Sequence, residues 1–191
     1  VFSTLAEGVR GKRAVDWHLV DETAPRSRFE AAGLDRAQRL VARAARVASG
    51  EGMRLEPLQV TRDGDRHSYS FVTMAIDPAR HLAEVTVRGP AGAAPTTAEA
   101  LRAGGCAQWA VAAWRELDDA LLHLRFNHLD VGVVVLRTSG DLAAAVEHDR
   151  ALHGLARHDW LAKEVLLLRK RALKRLDLSA KSLFALVEPG S

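Results

Sequence analysis

The sequence predicts an α/β fold with a parallel sheet, and three observations carry that expectation. From residue 107 onward the apolar pattern runs helix, strand, helix, helix, strand. Val131 to Leu136 is an unbroken apolar run of the kind that forms a strand covered on both faces. Upstream, from about Met53, apolar and polar residues alternate at period two, so strands precede the first of those helices.

The first segment reads as helical, with Leu5, Val9, Ala14, Trp17 and Leu19-Val20 as apolar positions. Leu19 to Asp21 could be a short extended piece. Thr23-Ala24-Pro25 signals a turn. Phe29, Leu34, Ala37, Leu40, Val41, Ala44 and Val47 then recur at helical spacing, with Ser27 and Glu30 as a capping box. Gly50 and Gly52 stop that helix, which places a boundary near residue 50. Leu58 and Val60, then Tyr69, Phe71, Thr73 and Ala75, read as strands joined by an Asp63-Gly64 hairpin turn. His81 to Val87 is a third strand. After a loop from Pro90 to Pro95 comes a helix with Val111, Trp114, Leu117, Leu121 and Leu124 on its apolar face. Arg115, Glu116, Asp118 and Asp119 would lie opposite. Ser139-Gly140-Asp141 ends the next strand, and an Ala-rich helix follows. A helix from about Asp159 to Leu176 leads into a last strand at Ser182 to Val187.

Composition excludes several classes. The chain has 191 residues, 48% hydrophobic and 27% charged, with mean hydropathy −0.09. No apolar run approaches the ~20 residues of a spanning helix. A wholly disordered chain could not carry this much Leu, Val and Ala. The net charge is +3, with 27 basic against 24 acidic residues interleaved along the chain. That pattern marks solvated surface rather than a nucleic-acid groove. Cys106 is the single cysteine, so neither an internal disulfide nor a multi-cysteine zinc site can form, in keeping with a reducing cytoplasm.

The candidate chemical groups favour structural readings. His148, His153 and His158 are spaced by five, which does not align one helix face, and no metalloprotease motif is present. Glu116, Asp118 and Asp119 could divide acid and base roles, but a solvated helix face explains them more simply. Lys163, Arg169, Lys170, Arg171, Lys174 and Arg175 could hold phosphates, yet they also suit an exposed helix face. Cys106 follows Gly104-Gly105 near a helix start, a weak sign of reactivity. Trp17, Trp109, Trp114 and Trp160 read as core anchors.

Longer runs resemble the crotonase (enoyl-CoA hydratase/isomerase) superfamily. Glu7 to Glu22 (EGVRGKRAVDWHLVDE), with Pro25 and the helix after it, resembles the late part of a crotonase domain. Leu82 to Pro90 (LAEVTVRGP) resembles the first strand and turn of such a domain. Glu116 to Leu121 with Val131 to Thr138, Gly140 and Asp141 resembles its first helix and second strand. Ser182 to Gly190 resembles the strand leading into the oxyanion loop. The end of one unit thus precedes the start of another. The resemblance implies a partial crotonase-like fold. Residues 1–50 would be the C-terminal helical part of a first unit. Residues 53–191 would be the N-terminal strands and helices of a second, truncated at its oxyanion loop. The chain starts at Val1 and stops just after Ser182 to Val187, which reads as an internal fragment of a longer protein.

The runs EGVRGK, WHLVDE, ELDD and SLFALVEPGS, with His158-Asp159-Trp160, resemble a ring-opening tandem lyase of that superfamily. The implied activity is hydrolytic opening of 2,3-epoxybenzoyl-CoA, with release of formate and a semialdehyde CoA thioester, in aerobic benzoate degradation. Crotonases hold the thioester enolate with two backbone N–H groups. No metal or redox cofactor is implied, because CoA belongs to the substrate. The implied setting is a cytoplasmic homo-oligomer with an acyl-CoA substrate and no nucleic-acid or membrane partner. The family's catalytic carboxylates and oxyanion loops would fall outside these residues. No catalytic or metal residue is therefore assigned, and the CoA contacts stay unassigned. The fragment by itself is expected to be inactive. A generic enoyl-CoA hydratase or isomerase, and a non-catalytic oligomerisation module, are the competing readings.

Overall fold

The computed structural model describes residues 6–44 and 52–190. Leu5, Val47, Gly50 and Ser191, which figured in the expectations above, lie outside the described residues. The chain divides into two compact units, Val1–Glu51 and Gly52–Ser191.

The first unit holds α1 (Gly11–Asp16) and α2 (Phe29–Arg43). Ala14 is its buried apolar residue, and α2 buries no side chain. Trp17 is not a core anchor. It is 39% exposed, and the Arg13 guanidinium stacks over its ring at 4.4 Å. Leu19 to Asp21 is a bend rather than a strand, because His18 takes a left-handed conformation (φ 54°) just before it. The expected capping box does not form. A 3-10 turn, Arg26–Arg28, absorbs Ser27, so the helix starts after Arg28 with no side-chain cap. Surface ion pairs support α2, among them Arg39 with Asp35 at 2.9 Å.

The second unit is α/β. It runs β1 (Thr61–Asp63), β2 (Arg66–Ser68), β3 (Val72–Asp77), β4 (Leu82–Arg88), α3 (Ala98–Gly104), α4 (Trp109–Asn127), β5 (Val133–Ser139), α5 (Leu142–Leu155), α6 (Trp160–Asp177) and β6 (Ser182–Val187). The helix-strand-helix-helix-strand order after residue 107 is as expected. α3 was not foreseen. The six strands form one sheet in the order β1-β2-β3-β4-β5-β6. β1 to β4 pair antiparallel, and β4, β5 and β6 pair parallel.

The hairpin expected at Asp63-Gly64 forms with Gly64-Asp65 as its turn: Asp63 ends β1 and pairs with Arg66, and Gly64 has φ 53°. The following register differs from expectation. Tyr69 N–H donates to the Val72 carbonyl at 2.8 Å, so Ser70 and Phe71 form a second tight turn. The alternation restarts beyond it, and β3 buries Val72, Met74 and Ile76 instead of Thr73 and Ala75. α4 covers that face. Val72, Met74, Val85, Leu117, Leu124 and Val134 form the main core. Fully burying a side chain such as Met74 or Leu117 contributes about 1.5–3 kcal/mol. A second core joins Leu101 and Val111 to Leu152, Leu161 and Val165, between α3, α4, α5 and α6.

One burial expectation fails at the parallel end of the sheet. β5 is not covered on both faces: Val134 alone is buried and its neighbours are half-buried. β6 is exposed at every residue. It pairs only with β5, so one edge and part of each face lack a neighbour among the described residues.

Candidate functional site

The carboxyl ends of β4, β5 and β6 lie side by side, which is where open α/β sheets form ligand crevices. β4 runs out into Gly89-Pro90 and β5 into Gly140-Asp141. Gly89 N–H donates to the Ser139 carbonyl at 2.7 Å, so the two exits are held against each other. Gly140 has φ 134°, and a Cβ there would stand 3.1 Å from Gly89 N and Cα. Only glycine satisfies both the conformation and the crossing. Asp141 then caps α5, its Oδ1 accepting the Ala143 N–H at 2.8 Å. The Leu142 N–H donates to the Gly190 carbonyl at 3.1 Å, which ties the segment after β6 to the start of α5.

These exits border a mostly apolar cavity of about 350 Å³, walled by Gly89, Trp109, Trp114, Gly140, Leu142 and Val187. A second cavity of about 430 Å³ also has Trp109 in its wall, with Phe71, the Pro90–Ala93 loop and His148. Trp109 packs against the second core, as expected, and lines both cavities as well. Its indole N–H donates to the Arg88 carbonyl at 2.9 Å. Its ring stands edge-on to His148, with centroids 5.5 Å apart. His148 is buried, and its Nε2 lies 2.9 Å from the Gly92 carbonyl, so α5 holds the loop in place. Such a crevice can seat a flat apolar group against indole faces and present backbone groups at its rim.

The sequence-selected residues are dispersed. Glu116 and Asp118 do not lie on a solvated face: they are 3% and 7% exposed. Helix α4 is enclosed by the sheet on one side and α6 on another, so its polar stripe is covered too. The Glu116 Oε2 accepts the Phe71 and Val72 N–H groups at 2.6 and 3.1 Å. Burial pushes its carboxyl above the usual range, against the pull of those hydrogen bonds. Asp118 is held by Arg171 and Arg175. Asp119 accepts the Tyr69 hydroxyl at 2.8 Å. None of the three carboxylates lines the crevice.

His153 meets Arg169, and His158 is exposed. Arg169 also pairs with Asp149, so the basic face of α6 is partly spent on internal ion pairs, while Lys163, Lys170 and Lys174 stay exposed. Cys106 is half-buried against the second core. Trp114 packs on both cores, whereas Trp160 is 47% exposed and anchors neither. Among the described residues no group of three His, Cys, Asp or Glu side chains could hold a metal ion. No described helix is long and apolar enough to cross a membrane.

Sequence reasoning missed the Gly89–Gly140 crossing and the place of Trp109 in the walls of both cavities. Gly89-Pro90 and Ser139-Gly140-Asp141 were visible as turn signals, but their meeting across the sheet was not.

No protein-family profile matches the chain. Among curated proteins it matches a benzoyl-CoA-dihydrodiol lyase from Aromatoleum evansii, with 40% identity over all 191 residues. The chain spans 34% of that relative's length. It is thus similar, from its first residue to its last, to about one third of a benzoyl-CoA-dihydrodiol lyase.

Proposed function

We propose that this chain is the middle part of a tandem CoA-thioester lyase of aerobic benzoate degradation. The whole enzyme adds water to 2,3-epoxybenzoyl-CoA, cleaves a carbon–carbon bond of the ring, and releases formate with a semialdehyde CoA thioester. The single observation that carries this reading is the 40% identity maintained over every residue to a protein of that name. The α/β second unit is compatible with the opening half of a crotonase-like unit, because its parallel strands end at a crevice of suitable size. In this reading the indole walls of Trp109 and Trp114 receive the apolar acyl portion. The buried carboxylates Glu116 and Asp118 hold the scaffold. The groups that activate water and stabilise the enolate come from the remaining two thirds of the enzyme. CoA arrives with the substrate, and the enzyme works as a homo-oligomer in the cytoplasm.

The test is formate release from 2,3-epoxybenzoyl-CoA by the full-length protein that contains this chain, with crotonyl-CoA as the competing substrate. One formate per thioester consumed is expected. Hydration of crotonyl-CoA without formate would replace the lyase by a general hydratase. An intact oligomer that turns over neither compound would make the chain an assembly module.

A further inference from the structure

We propose that His67, His123 and His128 form an acid-sensitive fastening that holds the β1–β2 hairpin to the end of α4. The three imidazoles come from β2, from α4 five residues before its C-cap, and from that C-cap residue, His128. The His67 and His123 rings lie 4.4 Å apart between centroids, tilted by 53°. The His123 and His128 rings lie 5.3 Å apart, with their Nε2 atoms at 3.4 Å. His67 is 5% exposed, and its Nδ1 is buried with no hydrogen-bond partner.

The hairpin is joined to the rest of the sheet by the β2–β3 ladder, and His67 adds its buried side-chain contact. Every residue of β1 is exposed, and His67 is the one fully buried residue of β2. The plug is an imidazole where an apolar side chain would serve for packing alone.

The charges facing the cluster oppose a proton on it. Arg62 of β1 pairs in register with His67. Lys181, ahead of β6, donates to the His128 carbonyl at 3.1 Å. Asp119 of α4 is the carboxylate facing the cluster, and it already accepts the Tyr69 hydroxyl. The Asn127 amide lies 3.2 Å from His123 Nδ1. Burial first, then His123 and Arg62, holds His67 below the ordinary histidine value of 6.5. Burial first, then His128 and Arg62, does the same for His123.

The closed hairpin therefore favours neutral rings, whereas the opened one lets them protonate at the ordinary value. Its fastening is complete above pH 6.5 and weakens as the pH falls through the lowered values. His67 and His123 can each raise the opening constant by up to about tenfold between pH 7.5 and 5.5.

Hydrogen exchange on the full 191-residue chain, corrected for intrinsic rates, tests this. Protection of amides 62–68 should fall roughly tenfold or more from pH 7.5 to 5.5, while the middle of α4 keeps its protection. In His67→Leu the acid loss of hairpin protection should shrink about tenfold, to no more than the share that His123 contributes. Unchanged wild-type hairpin protection would overturn the proposal, and so would equal acid loss in wild type and variant. If His67→Leu does not fold, His123→Gln, at a half-buried helix position, decides the matter. A reduced acid response supports the fastening, and an undiminished one overturns it.

Discussion

Asp118 on α4 is gripped by two arginines of α6: its Oδ2 lies 3.1 Å from Arg171 Nη2 and its Oδ1 2.5 Å from Arg175 Nε. The carboxylate is nearly buried, whereas the Arg171 side chain is 60% exposed. The two long helices are thus joined by a charge pair as well as by apolar packing. Asp118→Ala is expected to cost about 1–3 kcal/mol, because it strips a covered clamp of its acceptor. Arg171→Ala should cost under about 1 kcal/mol, since solvent screens its charge. Urea midpoints measure both. An Asp118→Ala loss no larger than that of Arg171→Ala would refute the clamp.

Gly140 and Gly154 provide a matched pair of glycine substitutions. At Gly140 an added Cβ meets the Gly89 backbone at 3.1 Å, on a residue with φ 134°. Gly140→Ala should destabilise by about 1–3 kcal/mol and push the β4 and β5 exits apart. At Gly154, inside α5, nothing lies within 4 Å of the new methyl group. Gly154→Ala should stabilise by up to about 1 kcal/mol through helix propensity. Thermal unfolding of the two variants compares them directly. Equal effects would show that the crossing at Gly89 is not tight.

What the sequence made legible follows from the range of the forces involved. Helices α4, α5 and α6 and strands β4 to β6 repeat apolar residues with a clear period, so their order could be read locally. The burial of Glu116 could not. α4 was taken as one-sided, yet it is covered by the sheet and by α6, and that is a property of tertiary packing. The partner atoms of Glu116 are backbone N–H groups 45 and 44 residues away. The one-residue change of phase at the Ser70-Phe71 turn likewise hides in a sequence that alternates on either side of it. In the candidate site, Gly89 and Gly140 were visible only as punctuation, and Trp109 only as a large apolar residue. The His67, His123 and His128 contacts join three elements with no shared spacing.

β6 carries Leu183, Phe184, Leu186 and Val187 on an exposed strand that, among the described residues, pairs with β5 alone. Such an edge is a template for another strand. The isolated 191-residue chain is expected to self-associate with rising concentration. Phe184→Lys should weaken that association about tenfold, or ~1.4 kcal/mol. Sedimentation equilibrium reads both constants. Association that is indifferent to this substitution would place the contact elsewhere.

Glu116 gives the fold a pH dependence opposite in sign to that of the histidine cluster. Burial raises its carboxyl above the ordinary value of 4.5, so the folded state binds this proton more tightly than the unfolded state does. The associated stability is fully present below pH 4.5 and is lost as the pH rises through the folded value. Its Oε2 alone takes both backbone N–H groups, so the single carbonyl oxygen of a glutamine can accept both. Glu116→Gln should therefore fold and lack this decline. Glu116→Ala leaves the two N–H groups without an acceptor and should cost about 2–3 kcal/mol at pH 4.5, and less as the pH rises and the wild type loses its linked stability. The check is a urea series from pH 4.5 to 7.5 on wild type and Glu116→Gln, in whose difference the shared histidine contribution cancels. A constant difference between the two curves would show that Glu116 carries no such linkage. A wild-type curve that falls relative to the glutamine curve as the pH rises would establish the buried carboxyl as its source.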